Sequence, residues 1–339
     1  MLGYAPRKPP RILNNIRKID PAGILPIRAR LEREVRRRYA ALKKDIATSI
    51  VTNDCFDIAG MTSPTALVAL PGKFEFVRTD QKIAGFMKWL QGQQEKGILD
   101  ISYRPGVHSF GPWQGVYIDS YYVKNLRETY GKSIETAREK IRQAGYPIDV
   151  HPIGSMNAYM QQPFHVERVG MIYSRAYKDL KTVTELTGAG VRRSVTKGLT
   201  EGLARGMAEG KNPRAIAREL LADVTNKVDS IGQVRALMIA RTEVAAANHS
   251  AAMSEYRQAE VDGVSVEAEI LTSGLDNVCD ECEGLAEDGP YTLDQAEGLI
   301  PAHPSCACTL NPVVKPPDTP EEAQAVADED QARQEEAAV

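Results

Sequence analysis

The chain has 339 residues, of which 42% are hydrophobic and 26% charged, the balance of a soluble globular protein with room for two or three domains. No apolar run approaches the roughly 20 residues a membrane helix needs. The start of the chain is basic and Pro-rich but has no apolar stretch of the secretory kind, so the chain is expected to fold in a cytosol, away from membranes and without disulfides. The net charge of −3 hides an asymmetry. Arg7, Lys8, Arg11, Arg17 and Lys18 have no acid among them, while every charged residue after Lys315 except Arg333 is acidic.

In chain order, residues 1–23 read as a basic extended arm, since Pro6, Pro9, Pro10 and Pro21 leave little scope for a core. Such an arm suits DNA or an acidic protein surface, and equally a solubilising end. From Pro26, the residues Ile27, Leu31, Val35, Tyr39, Leu42 and Ile46 recur every three or four positions and predict one amphipathic helix. Arg36-Arg37-Arg38 within it fit a solvated face. Residues 24–165 as a whole read as a mixed helical domain. It holds short strands at Phe74-Glu75-Phe76-Val77 and Gly115-Val116-Tyr117-Ile118, and helices near 84–94 and 123–145. Trp113, Tyr117, Tyr121 and Tyr122 suit a small core or an interface. His108, His151 and His165 lie far from any cysteine and suit ordinary surface or core positions.

After Val169 the helical signal strengthens. Val191, Val195, Leu199, Leu203 and Met207 are spaced by four, Gly210 can end that helix, and Asn212-Pro213 can cap the next. A third helix is expected over about 231–256. The period then switches to two, with Val264, Val266, Ala268 and Ile270 on one strand face. A last short strand is expected at 309–314, and residues 315–339 read as an acidic disordered tail. The fold class is therefore α+β and predominantly helical. It combines an extended N-terminal arm, a helical middle and a small metal-stapled α+β C-terminal module.

The chemistry is concentrated near the C-terminus. Cys279, Cys282, His303, Cys306 and Cys308 form C-x2-C, twenty residues, then H-x2-C-x-C, while Cys55 stands alone. Two residues between ligands permit a tight turn whose amides face the thiolates. Two such turns supply the four ligands of a tetrahedral structural zinc site. Cys279, Cys282 and His303 are three of them, and either Cys306 or Cys308 is the fourth. Disulfides or unligated thiols are the alternatives, disfavoured by a reducing compartment and by the spacing. A closed set leaves no position for water, so the metal would be structural. The Gly- and Asp-rich segment has few apolar residues and would gain folding free energy from the ion.

The run Ile239-Ala240-Arg241-Thr242-Glu243, with Asn248, Asp276-x-x-Cys279-x-x-Cys282 and His303-Pro304-Ser305-Cys306-Ala307-Cys308, resembles the phage Mu F-like minor head proteins, also called phage head morphogenesis proteins. The resemblance covers about residues 165–314 and marks 166–314 as a helical and Cys/His module. Ala307 departs from the basic residue that the family often carries there. The resemblance implies a non-enzymatic minor capsid protein, present in few copies in the head of a tailed phage and assembled in the host cytoplasm. It would associate with the portal protein or the major capsid protein and aid head assembly, DNA packaging or ejection. Arg241 and Glu243 are expected to brace their helix against the metal module through the loop containing Asp276.

Two other functions compete. An ADP-ribosyltransferase would use an arginine, a Ser-Thr-Ser stretch and a Glu-x-Glu. Glu267-x-Glu269 is present, but no Ser-Thr-Ser precedes it, and an exposed strand face accounts for the pair. A DNA-binding metal knuckle is opposed by charge: Asp276 to Asp294 holds seven acids and no Lys or Arg. Contact with phage DNA would fall to the N-terminal arm.

Overall fold

The computed structural model describes residues 20–61, 76–99, 120–146, 148–149, 155–184, 191–273 and 278–315. The basic arm, the strand expected at 115–118, His108, His151, Trp113, Asp276 and the acidic tail lie outside them. The described elements are helices α1 (Leu25–Ala47), α2 (Ile58–Met61), α3 (Phe76–Gln94), α4 (Tyr121–Gln143), α5 (Met156–Tyr159), α6 (Pro163–Thr184), α7 (Val191–Ala208), α8 (Pro213–Lys227) and α9 (Val234–Val261), then β1 (Val266–Leu271), α10 (Asp280–Glu287), β2 (Tyr291–Thr292), α11 (Leu293–Ala296) and β3 (Thr309–Val314). The protein is thus predominantly helical with one three-stranded antiparallel sheet, ordered β2-β1-β3. No described helix is long and apolar enough to cross a membrane.

One expectation is corrected. Phe76 and Val77 begin helix α3 and do not belong to a strand. Four residues of alternating polarity fit the first turn of a helix as well as a strand, and the apolar positions Ile83, Phe86, Met87 and Leu90 that follow are helical in spacing and buried.

Compact packing groups the residues differently from the consecutive segments 24–165 and 166–314. One unit comprises 1–29, 124–172 and 241–339, the other 30–123 and 173–240. In the second, the stripe Leu31, Val35, Tyr39, Leu42 and Ile46 of α1 is at most 3% exposed. Arg38 bridges outward from it, donating to the Gly97 carbonyl and stacking 3.8 Å over the Tyr121 ring. Tyr121 and Tyr122 are buried and meet edge to face, as a small core. Asn212 caps α8 through the Arg214 amide with Pro213 in the first turn, and Gly210 turns the chain at φ +64°. Gly198, Gly202 and Gly206 line the side of α7 that meets α8, where the space a Cβ would take is occupied by Asp223 with Lys227, by Leu220 and by Ile216 respectively.

In the other unit, β1 buries Val266, Ala268 and Ile270 against Ala252, Met253, Tyr256 and Ala259 of α9, and turns Glu267 and Glu269 to its half-exposed face. The strand begins at Val266, after Gly263 (φ +87°) reverses the chain at the end of α9. β3 pairs with β1 in the register Ala268↔Pro312. Cys282, Cys306 and Cys308 belong to the same core as this sheet, together with Leu293, Ala296 and Ile300. The Cys/His segment is therefore not the core-poor lobe its composition suggests, because its apolar residues join a core shared with α4, α9 and β1.

A buried polar network also lies in this unit. His165 is fully buried, its Nδ1 is 3.0 Å from the Tyr130 hydroxyl, and its Nε2 is 3.9 Å from Glu255. Tyr159 donates to Glu255, and Arg138 Nε lies 3.5 Å from it. Burial drives Glu255 up to about 7 and His165 down to about 4, in both cases toward the neutral form.

Candidate metal centre

The site is assembled from a helix start and a loop turn. Cys279 is the N-cap of α10 and Cys282 lies in its first turn, so the two sulfurs sit three residues apart on one helix face. The C-x2-C pair is thus a helix N-terminus, where the sequence suggested a free turn. Its amides act as expected: the Cys282 N–H, aided by that of Glu281, holds the Cys279 thiol below its ordinary value. The acids Asp280, Glu281 and Glu283 crowd this turn, a favourable place for negative charge on a helix.

The second half is a turn closed by the Cys306 N–H donating to the His303 carbonyl at 3.1 Å. Pro304 occupies its second position and Ser305 its third at φ +66°, the pattern of a type II turn, which ordinarily wants glycine there. A non-glycine residue in this region costs roughly 1–2 kcal/mol. Two hydrogen bonds hold Ser305 in place. Its N–H donates to Thr242 Oγ1 at 2.9 Å, and its carbonyl accepts from Arg28 Nη2 at 3.3 Å.

The two halves converge. Cys282 Sγ lies 3.3 Å from His303 Nε2 and 3.8 Å from Cys306 Sγ. The ligand atoms of Cys279, Cys282 and His303 all lie within 4.8 Å of one another, as do those of Cys282, Cys306 and Cys308. Tetrahedral zinc with Zn–S near 2.3 Å and Zn–N near 2.0–2.1 Å implies edges of about 3.8 Å between sulfurs and about 3.5 Å between sulfur and nitrogen. The observed separations match these edges, so the cluster of four cysteines and one histidine can hold a metal ion. His303 Nδ1–H donates to the Pro304 carbonyl at 3.0 Å, which leaves the Nε2 lone pair facing the sulfurs.

Protons are unevenly shared among the thiols. Cys306 is pulled down to about 4, chiefly by the hydrogen bond it receives from Cys308, and the same bond drives Cys308 upward. Burial pushes Cys282 up to about 12, and the Pro304 carbonyl raises His303. Cys279 and Cys306 thus lean toward thiolate while Cys282 and Cys308 keep their protons, and an arriving cation would displace them. Cys306 and Cys308 both belong to the cluster. The 3.8 Å contact is made by Cys306.

Helix α9 carries the supports that sequence reasoning placed at Arg241 and Glu243. Glu243 is 2% exposed and Arg241 half-buried, and Thr242 between them accepts from the Ser305 N–H in the His303–Cys306 turn; the loop with Asp276, through which Arg241 and Glu243 are expected to act, lies outside the described residues. Asn248 accepts from Thr309 Oγ1 and donates to Ser133, and His249 Nε2 donates to the Cys308 carbonyl at 2.8 Å. Thr242 and Asn248 stand in the quoted motif. Arg28 and His249 carry no local signal, since an arginine near a helix start and a histidine in an apolar stripe are ordinary. Cys55 lies in the other unit. Glu267 is paired with Lys315, as suits a solvated strand face.

No family model matches the chain, and no curated protein and no solved structure matches it.

Proposed function

We propose that this protein is a minor head protein of a tailed phage, a structural component whose C-terminal module is stapled by zinc. The observation that carries the reading is the meeting of two motifs. Thr242 and Asn248 of the α9 motif hydrogen-bond Ser305 and Thr309, which flank Cys306 and Cys308 of the second. A helix motif and a Cys/His motif that pack as one piece explain why both occur together in such proteins. Among possible ions, several thiolates with one imidazole in tetrahedral spacing favour zinc. With four of the five donors engaged no position is left for water, which supports a structural role.

In this reading the protein is assembled in the host cytoplasm, enters the head in few copies, and docks on the portal or the major capsid protein. Its basic arm at Arg7, Lys8, Arg11, Arg17 and Lys18 is the place for DNA contact, because the acids of α10 repel phosphate. The test is co-expression with the portal and major capsid proteins of a tailed phage, followed by purification of assembled heads. Recovery of the chain in few copies per head is the expected result. Its absence from heads, with no binding to either partner, would overturn the assignment. Transfer of label from NAD to a host protein would instead establish the transferase reading.

A further inference from the structure

The turn that presents His303 and Cys306 is built against its own backbone preference. Ser305 holds φ +66°, where glycine would be at ease. No bond within the turn enforces this, since the Cys306 N–H to His303 carbonyl contact closes it without fixing the residue between. The enforcement comes from far along the chain: Thr242 receives the Ser305 N–H at 2.9 Å across 63 residues, and Arg28 reaches its carbonyl across 277. With both backbone groups of Ser305 occupied, its peptide planes are set, and with them the directions in which the His303 imidazole and the Cys306 sulfur leave the chain.

We infer that Thr242 is the positioning residue of the metal site, holding Ser305 left-handed so that His303 and Cys306 face Cys279 and Cys282. The inference rests on the metal reading above. Arg28 does the same work from the carbonyl side. Without Thr242 the Ser305 peptide relaxes, His303 and Cys306 splay, and the ion meets two ordered ligands instead of four.

The experiment measures zinc affinity of the full-length chain by chelator competition, and records the visible spectrum of the cobalt form. Thr242→Val, which keeps shape but removes the acceptor, is expected to weaken zinc binding roughly 10- to 100-fold, the usual effect of losing a group that orients a ligand. It should also weaken the tetrahedral cobalt bands. Thr242→Ser restores both. The decisive variant is Ser305→Gly, which adopts the left-handed turn unaided. Combined with Thr242→Val, it should recover most of the lost affinity. A general loss of folding would not be repaired by a glycine in a loop 63 residues away. Should Thr242→Val not fold, Arg28→Ala supplies the same reading from the other side of Ser305 and should be rescued by the same glycine.

Wild-type affinity in Thr242→Val, or a loss that Ser305→Gly leaves untouched, overturns the positioning role while the metal site stands. A wild-type chain that takes up no metal overturns both.

Discussion

Asn248 on α9 accepts a hydrogen bond from Thr309 Oγ1 at 3.0 Å and at the same time donates to Ser133 Oγ at 2.9 Å. A single 3% exposed amide therefore joins α4, α9 and the first residue of β3, directly after the metal-binding loop. Burying a polar group is tolerable only when its partners are present. Replacing Asn248 by Leu leaves Thr309 and Ser133 facing an apolar side chain. Asn248→Leu should thus destabilise the protein by about 1–3 kcal/mol, read as a lowered urea midpoint at unchanged slope. A midpoint equal to wild type would show that the amide is not holding these elements.

Removing the metal should undo more than one loop. Cys282 and Cys306, each 1% exposed, lie in the same core as Ile270 and Tyr256. The purified chain should carry about one zinc. Cys279→Ser with Cys282→Ser should abolish uptake, and chelation should lower the melting temperature and increase proteolysis near residues 278–308. Full-length protein containing no bound ion, or melting identically with and without chelator, would count against a structural ion.

The Glu255–His165 pair makes a prediction in pH. Glu255 is raised to about 7 in the fold, against about 4.3 when unfolded. Between those values the folded state binds the extra proton, so this group costs stability as pH rises from about 4.3 to 7 and changes nothing above. His165, lowered to about 4, acts in the opposite sense: the unfolded state binds more protons below about 6.5, so stability is lost as pH falls from there to about 4. The two slopes oppose each other across most of this window and the wild type should be nearly flat. Glu255→Gln should expose the histidine slope and become acid-labile below about pH 6.5. Urea titrations from pH 4 to 8 read it directly. Parallel curves for Glu255→Gln and wild type would contradict the assignment.

The α7–α8 contact yields a graded pair of substitutions. A Cβ on Gly206 would come within 2.8 Å of Ile216 Cγ1 with two more Ile216 carbons within 3.2 Å, whereas one on Gly202 would meet the mobile end of Leu220 at 2.7 Å. Alanine gains roughly 1 kcal/mol of helix propensity at either site, while overpacking costs about 1–3 kcal/mol. Gly206→Ala should therefore destabilise and Gly202→Ala should come out near neutral in thermal melts. The reverse order would mean that the helices can separate at no cost.

Much of this was legible before any coordinates. The stripe Leu31–Ile46, the Asn212-Pro213 cap, the alternation in β1 and the Cys279/Cys282 spacing are local patterns, each dictated by the period of one element and the chemistry of one short segment. The strand expected at Phe74–Val77 gives way to helix at Phe76 and Val77, Phe74 and Glu75 lying outside the described residues, because a pattern four residues long does not distinguish period two from 3.6; the helical burial of Ile83, Phe86 and Leu90 decides it.

The sequence by itself determined which residues can bind a metal and which faces of the helices are apolar, because those properties belong to side chains and their spacing. Only the tertiary structure decided that Thr242 meets the His303–Cys306 turn, that Arg28 completes the hold on Ser305, and that the cysteines join the core of α9 and β1. Contacts across 63 or 277 residues depend on how whole elements pack, and no local pattern in a chain carries that information.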